Sequence, residues 1–154
     1  GFESPRGVMA AIAQEQGDRE RAMRELELLL QHDHTSIDAA RELAALAEEA
    51  GDERRMELAY DRIIGIDPFD AISHQAIGRL ALARGETEVA AREFRVALST
   101  GPVDRVAAHC DLAETYLLAG ELDAAKREAL AALEIAPTYE RAQELLLQAV
   151  EGQQ

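Results

Sequence analysis

Apolar residues recur along the chain at intervals of three and four. Leu43, Leu46, Ala47 and Ala50 share one helical face, as do Met56, Ala59, Tyr60, Ile63 and Ile64, which is the spacing a 3.6-residue period produces. Arg, Glu, Asp and Gln fill the intervening positions. Strong helix formers dominate and β-branched residues are sparse, so strands have no support. The pattern predicts eight helices in pairs, near 4–16, 19–32, 36–50, 53–66, 70–84, 87–99, 104–119 and 122–135, with a ninth near 138–151.

The breaks between these helices are regular. Gly17, Gly51, Gly85 and Gly120 each end a helical pattern, with spacings of 34, 34 and 35 residues, and an acidic residue follows each: Asp18, Asp52, Glu86 and Glu121. Pro68, Pro102 and Pro137 repeat at 34 and 35, each 17 residues beyond one of those glycines. Glycine supplies the left-handed residue that closes a helix. Proline cannot continue one and restricts the residue before it. Two kinds of punctuation with one period predict a repeat array.

Residues within each period strengthen that reading. The fourth carries Leu112-Ala113, Tyr116, Gly120, Ala125, Ala129, Ala132-Leu133, Ile135 and Pro137. The third carries Ile77-Gly78, Ala81, Gly85, Ala90, Phe94, Ala97-Leu98 and Pro102; the second Leu43-Ala44, Ala47, Gly51, Met56, Tyr60, Ile63-Ile64 and Pro68. The first, with Met9-Ala10, Ala13, Gly17, Ala22, Leu26 and Leu29-Leu30, is the weakest and has His34 where the others have proline. This arrangement resembles the tetratricopeptide repeat over nearly the whole chain. The resemblance implies an all-α, right-handed superhelical solenoid in a single domain over 1–154. Its repeats would lie near 3–36, 37–70, 71–105 and 106–139, and a capping helix near 138–151 would present one apolar and one wet face. The sequence departs from the family in that its first-helix tryptophan position holds Arg6, Ala40, His74 and His109. Arg105 makes the third repeat one residue longer.

Composition narrows the function. With 16 Lys and Arg against 30 Asp and Glu, the net charge is −14. That disfavours nucleic acid, whose phosphates need cations, and docking on an anionic membrane surface. No stretch is long and apolar enough to span a bilayer, and the start shows no signal peptide, which makes the cytoplasm the default expectation. The missing initial Met leaves an upstream domain open. The single cysteine, Cys110, rules out an intrachain disulfide framework. Arg outnumbers Lys fifteen to one and Asn is absent, as in a bacterium with a GC-rich genome.

Catalytic chemistry finds no foothold. No phosphate loop, nucleophile elbow or zinc motif occurs. His32-Asp33-His34 is a two-apart pair on a turn without a third ligand, weak for zinc. Cys110 and His109 are helical neighbours pointing about 100° apart, which makes no catalytic pair. No metal, cofactor or catalytic residue is therefore assigned.

In the family the concave face is lined mainly by the first helix of each pair. That implies a groove of Arg41, Ala45 and Glu48 from repeat two, Gln75, Arg79 and Leu82 from repeat three, and Cys110, Glu114 and Leu117 from repeat four. Cys110 also reads as a small packing residue. The implied function is a non-catalytic scaffold binding a protein or peptide, with a basic or amphipathic segment complementary to acidic and apolar side chains. The positions where the family clamps chaperone tails hold Gly7, Ala11, Glu42, Ile72 and Ala76, which excludes that mode. Two alternatives stand beside this reading. The chain would be the accessory C-terminal array of a larger bacterial enzyme, such as a peptidase or transferase. Or the uncapped first repeat would stack on a second copy.

Overall fold

The computed structural model describes residues 3–101 and 104–153. Pro102, one of the periodic prolines, lies outside the described residues. Nine helices run through those residues, in order: α1 Pro5–Glu15, α2 Arg19–His32, α3 Ile37–Ala50, α4 Glu53–Ile66, α5 Ala71–Ala83, α6 Thr87–Thr100, α7 Arg105–Leu118, α8 Leu122–Ile135 and α9 Glu140–Gly152. Each agrees with the periodicity to within about two residues. The chain gathers into two compact units, 1–68 and 69–154.

The glycine–acid pairs have a double role. The turn glycines adopt a left-handed φ, 67° at Gly51 and 77° at Gly120, which a Cβ would strain. The acid then starts the next helix. The Asp18 carboxylate accepts from the Arg21 amide and Asp52 from the Arg55 amide, satisfying amides that the first turn leaves orphaned. Glu86 and Glu121 hold the same position without a side-chain capping bond.

In the first unit α1 packs on α2, α2 on α3 and α3 on α4. Leu26, Leu30 and Leu43 are fully buried among alanines such as Ala10, Ala13, Ala44 and Ala47, whose small side chains let helix axes approach closely. Val8, Met9 and Ile12 on α1 remain exposed. In the second unit α5 to α9 pack in the same consecutive manner, with α9 also touching α7. Phe94 is fully buried, and a Cβ on Gly78 would lie 2.7 Å from its ring. Gly78 is thus the small partner that admits the ring. Ala129, Ala132, Ala142 and Leu145 close the core of the last repeat.

The unusual tryptophan-position residues have an explanation. Arg6 pairs with Glu25 at 2.9 Å, His74 with Glu93 at 2.7 Å and His109 with Glu128 at 2.7 Å. All three pairs are separated by 19 residues. The second repeat has Ala40 and Ala59 at the same two positions, both fully buried. A polar residue on the first helix is therefore matched by an acid on the second helix of the same repeat, and an apolar one by an apolar one.

Candidate functional site

The second unit contains a depression of about 550 Å3 where α5, α7 and α9 meet. Arg79, Leu82 and Ala83 come from α5, Asp111, Glu114, Leu117 and Leu118 from α7, and Gln148 from α9. Leu82 and Leu117 are half-buried, packing inward on the cores of the third and fourth repeats. Leu118 is 59% exposed. Four apolar side chains thus form one wall of an open, otherwise polar site.

Its floor is an ion network centred on Asp111, whose side chain is only 5% exposed. Arg79 Nε donates to Asp111 Oδ2 at 3.0 Å and Gln75 Nε2 to the same oxygen at 3.4 Å. Arg141 Nη2 donates to Asp111 Oδ1 at 2.9 Å and to Glu114 Oε2 at 2.7 Å. A buried carboxylate needs such partners, because desolvation costs more than a single contact returns. Burial alone would lower the Arg141 pKa, but the bonds it donates to Asp111 and Glu114 outweigh it and raise it above the ordinary value. The two cations and two anions neutralise one another locally.

Five residues nominated by the repeat register therefore meet here: Gln75, Arg79, Leu82, Glu114 and Leu117. Cys110 does not. It is fully buried in the core of the fourth repeat, and burial pushes its thiol pKa up. Its place in the groove is corrected to a packing role, since on α7 it turns inward toward Ala113 and Ala129.

The nominees of the first unit are arranged differently. Arg41, Ala45 and Glu48 are exposed, and Glu48 accepts a hydrogen bond from the Tyr60 hydroxyl. They do not line that unit's own depression of about 350 Å3, which is formed by Gln14, Gly17, Arg19, Glu42, Leu46 and Glu49. Gln14 donates to Glu42 at 2.7 Å and Arg19 pairs with Glu49 at 3.1 Å, so much of its polarity is spent internally.

Asp111 and Arg141 were missed as site residues. The only signal for Asp111 was an acid flanked by the apolar Cys110 and Leu112. Arg141 lies among polar neighbours near the start of the last helix, and nothing in the sequence marks its contact with Asp111. The His32–His34 turn is occupied by other bonds: His34 Nδ1 meets Arg62 Nη1 at 2.6 Å, and Asp33 accepts from the Thr35 hydroxyl and amide, which brings its pKa down to about 2. Among the described residues no three His, Cys, Asp or Glu side chains are grouped to hold a metal ion.

No protein-family model matches the chain, and no curated protein matches it in sequence. Solved structures share its fold. A crystal structure of MamA protein superposes with a TM-score of 0.82 at 20% identity, over 96% of this chain and 80% of that one. MamA from Desulfovibrio magneticus RS-1 gives 0.71 at 15%, over 96% and 88%. An O-GlcNAc transferase from Thermobaculum terrenum gives 0.59 at 24%, over 82% of this chain and 25% of that one. The shared feature is the all-helical tetratricopeptide-like fold.

Proposed function

We propose that the chain is a non-catalytic interaction domain and that the α5–α7–α9 face takes an amphipathic segment of a partner protein. The observation that carries this reading is the coincidence, in one depression, of Leu82, Ala83, Leu117 and Leu118 with the part-exposed Arg79 and Glu114. An apolar wall beside a few oriented polar groups is the usual chemistry of a peptide site. The internal charge balance of the floor shifts the expected partner away from a purely basic segment toward an amphipathic one.

The test is selection of a random peptide library on the full chain, followed by binding measurements on Leu118→Glu. That side chain is exposed, so the substitution puts a charge on the wall without disturbing the core. Loss of selected peptides with unchanged helix content supports the reading. Peptides that bind both proteins equally lie elsewhere and sink it.

A second reading treats the chain as the accessory array of a larger bacterial enzyme. What favours it is that the fold recurs as a quarter of an O-GlcNAc transferase chain. A catalytic domain in the same reading frame would establish it, and an independent short frame would remove it.

A further inference from the structure

The polar groups of the α5–α7–α9 depression differ in what they have left to offer. Both oxygens of Asp111 are taken by donors, and its side chain is nearly inaccessible. Arg141 spans Asp111 and Glu114 with the same nitrogen, and its side chain is 37% exposed. Arg79 stands apart. Its side chain is 55% exposed, and among the described residues its one bond is from Nε to Asp111. A guanidinium carries five donors in a rigid plane. The bond to Asp111 uses one and orients the plane, while among the described residues no acceptor meets the Nη1 and Nη2 edge. Leu82, Leu117 and Leu118 line the same depression.

Resting on the interaction reading above, we infer that Arg79 is the specificity-determining residue of this face and that the bound segment presents a carboxylate to its Nη edge. An apolar side chain next to that carboxylate sits on the leucine wall. The fork of a guanidinium matches a carboxylate with two parallel hydrogen bonds, a match no lysine reproduces. Glu114 shares one oxygen with Arg141 at 2.7 Å, so part of its charge is already balanced, whereas no acceptor among the described residues meets the Arg79 Nη edge. The charge of −14 sharpens the choice. An acidic segment is repelled by the net charge of the chain, and in this depression it is held where the Arg79 edge and the leucines coincide. Repulsion elsewhere combined with attraction at one point is how specificity is built. Asp111 acts through Arg79 as a positioning residue, holding the guanidinium plane in place.

The peptides selected from the random library on the full chain supply the test. Those lost on Leu118→Glu are expected to share an Asp or Glu at a fixed distance from an apolar residue. Changing that acid to its amide should weaken binding roughly ten- to a hundredfold, the loss expected for a charge-assisted pair. Arg79→Gln should weaken the parent peptide to a similar extent, and both changes together should cost no more than either alone. Arg79→Lys keeps the charge but not the fork, and should recover only part of the loss. Asp111 retains Arg141 and Gln75 in these variants, so helix content should be unchanged.

Peptides that are lost on Leu118→Glu yet indifferent to the acid and to Arg79→Gln would overturn this inference and leave the interaction reading intact. A basic consensus directed at Glu114 would do the same. A library yielding no peptide on this face would sink the interaction reading, and the role of Arg79 with it.

Discussion

The two units tie their helix pairs together with ion networks of opposite polarity. In the first, the buried group is a cation. Arg55, with a side chain 8% exposed, lies among Glu20, Glu27 and Asp52 at 2.7 to 3.2 Å, joining α4 to α2. In the second, the buried group is the anion Asp111, joining α5, α7 and α9. The first network runs between second helices of consecutive repeats, the second between first helices and the last helix. Only the second forms the floor of the candidate site. In the second unit the group that orients a binding residue is thus also a group that holds repeats together.

The largest effect should come from stranding the buried anion. Replacing both Arg79 and Arg141 by Gln removes both cations that Asp111 meets among the described residues, and an uncompensated buried charge costs about 3–5 kcal/mol. Urea denaturation would report the loss, and hydrogen exchange should show α7 and α9 amides losing protection. A loss below about 1 kcal/mol would mean that the carboxylate is re-solvated and the network is not a structural tie.

The first unit should differ in its response to acid. The hydrogen bond from Arg55 lowers the Glu20 pKa below 4.5. For Glu27 burial pushes the other way, but bonds from Arg54 and Arg55 outweigh it and the pKa also falls. A carboxylate with a lowered folded pKa binds fewer protons folded than unfolded. Its contribution is complete above pH 4.5 and is lost as pH falls through the folded values. Urea midpoints measured downward from pH 4.5 should therefore fall more steeply for the wild-type chain than for Glu20→Gln. Parallel curves would show that Glu20 adds nothing to the Arg55 network.

The smallest effect is expected at Arg19. Its pair with Glu49 is half-exposed on both sides, and Arg19→Ala should change stability by no more than about 0.5 kcal/mol. A larger loss in urea would mark the first unit's depression as a tie between repeats, narrowing the contrast with the second unit.

How legible this was depends on the distance over which each interaction acts. Helix ends follow from neighbours within a few residues, so Gly51, Asp52 and their equivalents marked turns and starts without help from tertiary structure. The apolar wall was legible too, because Leu82 and Leu117 keep the same register and the core positions beside them are filled by other residues. The floor was not. Asp111 collects donors from Gln75, Arg79 and Arg141, between 30 and 36 residues away, and no local pattern announces that convergence. Cys110 shows the limit of register itself. It occupies a groove position in the motif, yet α7 turns it fully into the core.

The pairs separated by 19 residues have a consequence for how such a chain is assembled. Arg6–Glu25, His74–Glu93 and His109–Glu128 each lie within one repeat, so a gene duplication or exchange that moves a whole repeat carries both halves along. The module is portable, and no orphaned charge is created at its destination. The Asp111 network is the reverse: its members come from two repeats and the final helix, so shuffling any one of them breaks it. Modules of the first kind are free to multiply, whereas the second kind records a particular order of neighbours.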